Sequence, residues 1–158
     1  MERNILPKKI KIAVFLMTTT GILLLGQFIY AILVFRIEWS KIISSQYNIF
    51  SFILNNLDSL LIPILFISFV YFLKKRKKWA WFAAIVLLLK ETIGGIHSLF
   101  LYLPNLPSLI TQWEQEMIPL PLYSFITLQI ISIIVFIFVL LSLIFLILDR
   151  KKYWQISS

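Results

Sequence analysis

Residues 79–103 read WAWFAAIVLLLKETIGGIHSLFLYL. Two apolar halves, WAWFAAIVLLL and IHSLFLYL, flank a polar middle in which Lys90 and Glu91 stand side by side. A run of this length is a membrane span, because a bilayer asks for about 20 predominantly apolar residues. Each charge inside it costs at least ~2.5–3.5 kcal/mol even on lenient insertion scales, so the pair marks a site or a partner contact.

Three more runs of this kind lie outward from it, at residues 12–35, 49–73 and 120–148. What remains is too short to fold separately. The expectation is a single four-span membrane domain over residues 1–158, all-α, with its helices in an antiparallel bundle. Composition agrees: 60% of the residues are hydrophobic and 14% charged, against about 45–50% and ~25% in soluble domains. The first run is expected to be a retained span rather than a cleaved signal. Its apolar stretch exceeds the usual ~7–15 residues, and no small-x-small cleavage site follows.

The net charge of +8 follows the spans rather than a nucleic-acid surface, and no nucleic-acid partner is expected. Arg3, Lys8, Lys9 and Lys11 precede the first span, Lys74–Lys78 fill the second link, and Arg150, Lys151 and Lys152 follow the fourth span. The alternate loops hold only Arg36 and Lys41. Basic residues stay on the cytoplasmic side, which gives an N-in/C-in topology. An even number of spans requires the same thing. Trp39 and Trp113 then fall at the outer boundary, and Trp79, Trp81, Tyr153 and Trp154 at the inner one, where amphipathic rings are favoured. The KKRKK run is read as a topology determinant touching lipid headgroups.

Cysteine is absent and His97 is the sole histidine, so neither a metal site nor a cofactor is expected. Sequences such as HExxH, the P-loop, GxGxxG and GxSxG are missing, and an enzyme is not the favoured reading. Glu91 and His97 retain general acid–base capacity.

The polar residues of the spans share a depth. In the second span Asn55, Asp58 and Ser59 form one helical stripe, and Pro63 frees the carbonyl of Ser59. In the third, Lys90, Gly94 and His97 share a face, and Glu91, Gly95 and Ser98 share the face turned by about 100°. The first span adds Thr18, Thr19, Thr20 and Gln27; the fourth adds Thr127, Gln129 and Ser132. With a rise of ~1.5 Å per residue, Asp58, Glu91, Gln27 and Gln129 all fall in the outer half of a ~30 Å core. His97 falls nearer its edge. An outward-opening polar pocket is therefore expected, with Asp58, Lys90, Glu91, His97, Asn55, Gln27 and Gln129 as its residues. Lys90 is expected to pair with Asp58 or Glu91 inside the bundle. The second carboxylate is then neutral, or a bound cation completes the layer.

The third loop, PNLPSLITQWEQEMIPLP at 104–121, reads either as a plain re-entrant turn or as a short outer interfacial helix. In the helical reading Glu114 and Glu116 lie on its polar face. Three roles fit the whole. The first is an accessory or assembly subunit docking another membrane protein. The second is a binding or transport protein for a small amphipathic or cationic ligand, and the third a lipid-modifying membrane enzyme. The expected surroundings are the lipid bilayer and either a membrane-protein partner or a homo-oligomer. An abundance of Ile, Phe and Lys with only 4 Gly suggests an AT-rich bacterial genome, and hence a bacterial cytoplasmic membrane.

Overall fold

In hydrocarbon every backbone N–H and C=O needs a partner within the segment, so long apolar runs become helices. A computed structural model describes residues 6–42, 57–102 and 122–156. They form α1 (Lys8–Ile42), α2 (Leu57–Lys74), α3 (Lys78–Tyr102), α4 (Leu122–Leu148) and a short α5 (Arg150–Ile156), with no strand among the described residues. Helices α1 to α4 are each long and apolar enough to cross a membrane. Residues 43–56, with Asn55, lie outside the described residues, as does the 104–121 loop with its expected outer helix.

The boundaries of α3 and α4 agree with the hydropathy reading to within two residues. Helix α1 runs on past the expected end at Phe35 to Ile42, 35 residues in all. No Gly or Pro interrupts 27–42, so nothing local stops it at the membrane surface. Its ~52 Å exceeds the ~30 Å hydrocarbon thickness.

Helix α1 packs against α2 and α4, α4 also packs against α3, and α3 returns to α2, closing a ring. Glycine sets the first seam. A Cβ on Gly21 would lie 3.0 Å from Ile67 Cγ1 and 3.3 Å from the Pro63 carbonyl oxygen, so α1 and α2 approach closely there. The half of the bundle bearing Lys8, Lys74, Lys78 and Leu148, for brevity the inner half, is filled by Ile10, Ala13 and Met17 of α1, Phe66, Val70 and Leu73 of α2, Ala80, Ala84 and Leu88 of α3, and Val139, Leu143 and Leu146 of α4. Several hydroxyls within the spans are satisfied by their own helices, while the buried Thr20 Oγ1 has no hydrogen-bond partner among the described residues. Thr18, Thr92 and Ser142 donate to Val14, Leu88 and Phe138 carbonyls at 2.7 Å, the usual back-bond to the preceding turn.

Helix α5, which the hydropathy pattern did not reveal, ties the inner ends together. Helix α2 ends where the Lys77 N–H donates to the Phe72 carbonyl (3.2 Å) and the Arg76 N–H to that of Leu73 (3.0 Å). This Schellman arrangement requires a left-handed residue, and Arg76 takes it at φ 58°. The buried Tyr153 hydroxyl is shared between the carbonyls of Lys77 (3.1 Å) and Leu73 (3.4 Å). Burial pushes its pKa up to about 12, against the opposing pull of the Arg76 charge. The Trp81 indole N–H donates to the Leu146 carbonyl at 3.2 Å. The Lys9 N–H donates to Asp149 Oδ2, also at 3.2 Å. Arg150 lies over the rings of Trp81 (5.5 Å) and Trp154 (4.6 Å). Trp81 and Tyr153, expected as headgroup anchors, are thus buried in joints between segments, while Trp79 stays half exposed.

Candidate intramembrane cavity

Above the packed inner half, α1, α3 and α4 leave a cavity of about 480 Å³. Its walls follow helical spacing. Gln129, Ser132, Phe136 and Val139 descend one stripe of α4, Glu91, Gly95 and Ser98 one stripe of α3, and Leu24 and Gln27 come from α1; Gly94, Leu99, Ile133 and Val135 complete the lining. Counted from the inner helix ends at ~1.5 Å per residue, Glu91 stands ~20 Å up, Ser132 ~24 Å, and Gln27 and Gln129 both ~29 Å. These polar groups form one layer.

The adjacent glycines do different things. A Cβ on Gly95 would run into Phe136 Cδ2 and lie 2.8 Å from Phe136 Cε2, so Gly95 lets α3 close on the α4 ring. A Cβ on Gly94 meets nothing within 4 Å, so Gly94 adds open space to the cavity.

Among the described residues, Glu91 is the only ionisable one in the lining. Its Oε1 lies 3.5 Å from Lys90 Nζ, and the two side chains are 25% and 63% exposed. Sequence neighbours in a helix point about 100° apart, so Lys90 starts on the outer surface and reaches round to the carboxylate. The cavity therefore brings together Gln27, Glu91 and Gln129. Ser98 and Ser132, which the sequence reading left out of its site, join them. The 91/95/98 and 129/132/136 spacings are the signal that finds these two serines.

Asp58 and His97 are exposed and lie outside the lining. Helix α2 turns Pro63, Phe66, Val70 and Leu73 to the core, and Asp58 stands about 100° around the helix from that seam. Ser59 continues the seam but is exposed. The expected inward stripe of Asp58 and Ser59 is thus not formed in the described helix.

Chemically, the described residues of the cavity offer one carboxylate, two amides and two hydroxyls above an apolar floor of Phe136 and Val139. The amides and hydroxyls both donate and accept, and the ionised carboxylate, beside the Lys90 ammonium, only accepts. Glu91 and His97 do not share the cavity, so no acid–base pair is assembled there. No group of three His, Asp or Glu that could hold a metal occurs among the described residues. No protein-family model, curated protein or solved structure matches this chain.

Proposed function

We propose that the chain is an antiparallel four-helix membrane bundle, N-in/C-in, whose cavity opens outward and binds a small amphipathic ligand with a cationic head group. The observation that carries this reading is the cavity of about 480 Å³ with, among the described residues, a single carboxylate beside neutral polar groups. That volume falls within the ~300–1,000 Å³ of small-molecule sites, which combine apolar walls with a few polar groups. Contact pairs support the antiparallel arrangement. Trp81 meets Leu146 while Gly95 meets Phe136, so residue numbers rise along α3 as they fall along α4. The basic ends support the topology, and composition favours a bacterial cytoplasmic membrane. The packed inner half favours binding over conduction, since side chains fill the path below the cavity.

A second reading, a subunit that docks another membrane protein, draws support from Asp58, Lys90 and His97. All three are exposed at depths where a charge facing lipid is costly. A membrane enzyme draws the least support, because Glu91 and His97 stand apart.

Octylammonium, octanol and octanoate, compared by calorimetry on the detergent-purified protein, test the cavity. The expected order places octylammonium first. A hydrogen bond to a charged group is worth about 1.5–3 kcal/mol, so Glu91→Gln is expected to weaken octylammonium binding by roughly 10- to 150-fold, with the fold intact. Equal binding of all three amphiphiles, unchanged by Glu91→Gln, refutes the reading. A loss of about 3–5 kcal/mol of stability on the same change would instead mark Glu91 as half of a structural ion pair with Lys90.

A further inference from the structure

The seam between α2 and α3 is closed at its inner end by three rings. Trp79 packs on Phe72 (4.7 Å between centroids) and edge-on to Phe69 (6.3 Å). Steps of three and four residues carry this face outward along both helices. On α3 it runs through Val86, Lys90, Ile93 and His97; on α2 it runs back through Leu65 and Ile62 to Asp58. Beyond the aromatic clasp the face is uncovered: Val86 is 66% and Ile93 65% exposed, and Asp58, Lys90 and His97 are exposed with them.

Two walls therefore stand open to the bilayer, α2 with the Asp58 carboxylate and α3 with His97 and the Lys90 ammonium, whose Nζ also lies 3.5 Å from Glu91 Oε1. From the inner helix ends, Asp58 lies ~24 Å up α2, between Lys90 at ~18 Å and His97 at ~29 Å on α3. A face with an acidic wall beside a basic wall at one depth is complementary to itself. An isologous contact sets the same patch of one copy against that of the other. A two-fold axis along the membrane normal keeps both copies at equal depth, so each acidic wall meets the other's basic wall. An unrelated helix would need both charges in the matching register, whereas a second copy carries them by construction.

We propose that the outer α2–α3 face docks a second copy of this chain, Asp58 of each copy meeting Lys90 and His97 of the other. The apolar contact comes from Leu65, Val86 and Ile93. This rests on the docking reading; Asp58, Leu65, Val86 and Ile93 are not in the cavity lining, and the face touches the cavity only through the Lys90–Glu91 pair.

The absence of cysteine makes the test direct. Ile93→Cys places a thiol on the proposed interface, and Phe15→Cys places one on exposed α1, away from it. Oxidative cross-linking in phosphatidylcholine vesicles is expected to give a covalent dimer from Ile93→Cys and not from Phe15→Cys. Light scattering of the detergent-purified wild type is expected to give the mass of two chains. Adding Asp58→Asn to Ile93→Cys is expected to cut the cross-linked fraction several-fold while octylammonium binding persists, which separates a lost interface from a lost fold. A monomeric mass, equal cross-linking at both positions, cross-linking indifferent to Asp58→Asn, or a different protein captured at Ile93→Cys overturns the proposal.

Discussion

Adding one methyl group to each of two adjacent glycines tests the packing around the cavity. Gly94→Ala and Gly95→Ala both gain about 0.5–1 kcal/mol from the loss of glycine's backbone freedom in a helix. That gain is common to the pair and cancels in their comparison. What differs is contact. The Gly94 methyl enters open space, whereas the Gly95 methyl meets the Phe136 ring at 2.8 Å from Cε2 and closer still at Cδ2. Overpacking of this kind costs about 1–3 kcal/mol, because either the ring leaves its rotamer or α3 moves off α4. Thermal unfolding of the two variants in one detergent is therefore expected to place Gly95→Ala about 1–3 kcal/mol below Gly94→Ala. Gly94→Ala is expected to equal or slightly exceed the wild type. If Gly95→Ala proves as stable as Gly94→Ala, α3 and α4 are not as close as described and the shape of the cavity is wrong.

Arg76→Gly is expected to stabilise the protein by about 1 kcal/mol in thermal unfolding, because a side chain at φ 58° bears a left-handed penalty that glycine does not. A loss of stability would show that the Arg76 side chain contributes more than its backbone costs. Tyr153→Phe leaves the Lys77 carbonyl without its hydroxyl donor and is expected to cost about 1–2 kcal/mol. The same residue fixes an alkaline limit. Its pKa rises from 10.0 to about 12 on folding, so at those pH values the unfolded chain binds fewer protons and stability falls as pH rises. Tyr153→Phe is expected to flatten that decline in denaturant titrations across the same window, and an unchanged decline would exclude Tyr153 as its cause. For topology, a lone cysteine at 114 is expected to react with an impermeant thiol reagent in intact cells, and one at 77 only after permeabilisation; the opposite order would invert the bundle.

The spans were legible because the bilayer imposes a length, and runs of about 20 apolar residues have few other readings. Depth was legible too, since rise per residue is fixed; counting along the helices is enough to put Gln27, Glu91 and Gln129 in one layer. Rotation about each helix axis was much less so. A helix that is apolar on every side has no polar face to set its orientation. Its facing is decided by where backbones can approach, at Gly21 against Pro63 and at Gly95 against Phe136. That is why Asp58, matched in depth to Glu91, stands outside the cavity. Helix α5 escaped notice for a different reason: seven residues carry too little periodicity, and its fixing contacts come from residues 73, 77 and 81.

The hydrogen bond from the Lys9 N–H to Asp149 spans 140 positions of sequence and gives assembly an order in time. The first turn of a helix leaves N–H groups that its own backbone cannot satisfy. Here one of the acceptors comes from just past the end of the last span. Distance along the chain is a minor obstacle, since doubling a loop adds only about 0.6 kcal/mol. Chronology is the stronger constraint. Residue 149 is synthesised after all four spans, so the earliest helix waits with a bare, electropositive start while the rest is made. Until Asp149 arrives, that start is open to any other carboxylate or phosphate at the membrane surface. Of helices α1 to α4, α1 thus waits for a residue that follows α4, and a bundle lacking Asp149 would carry its defect at the start of α1.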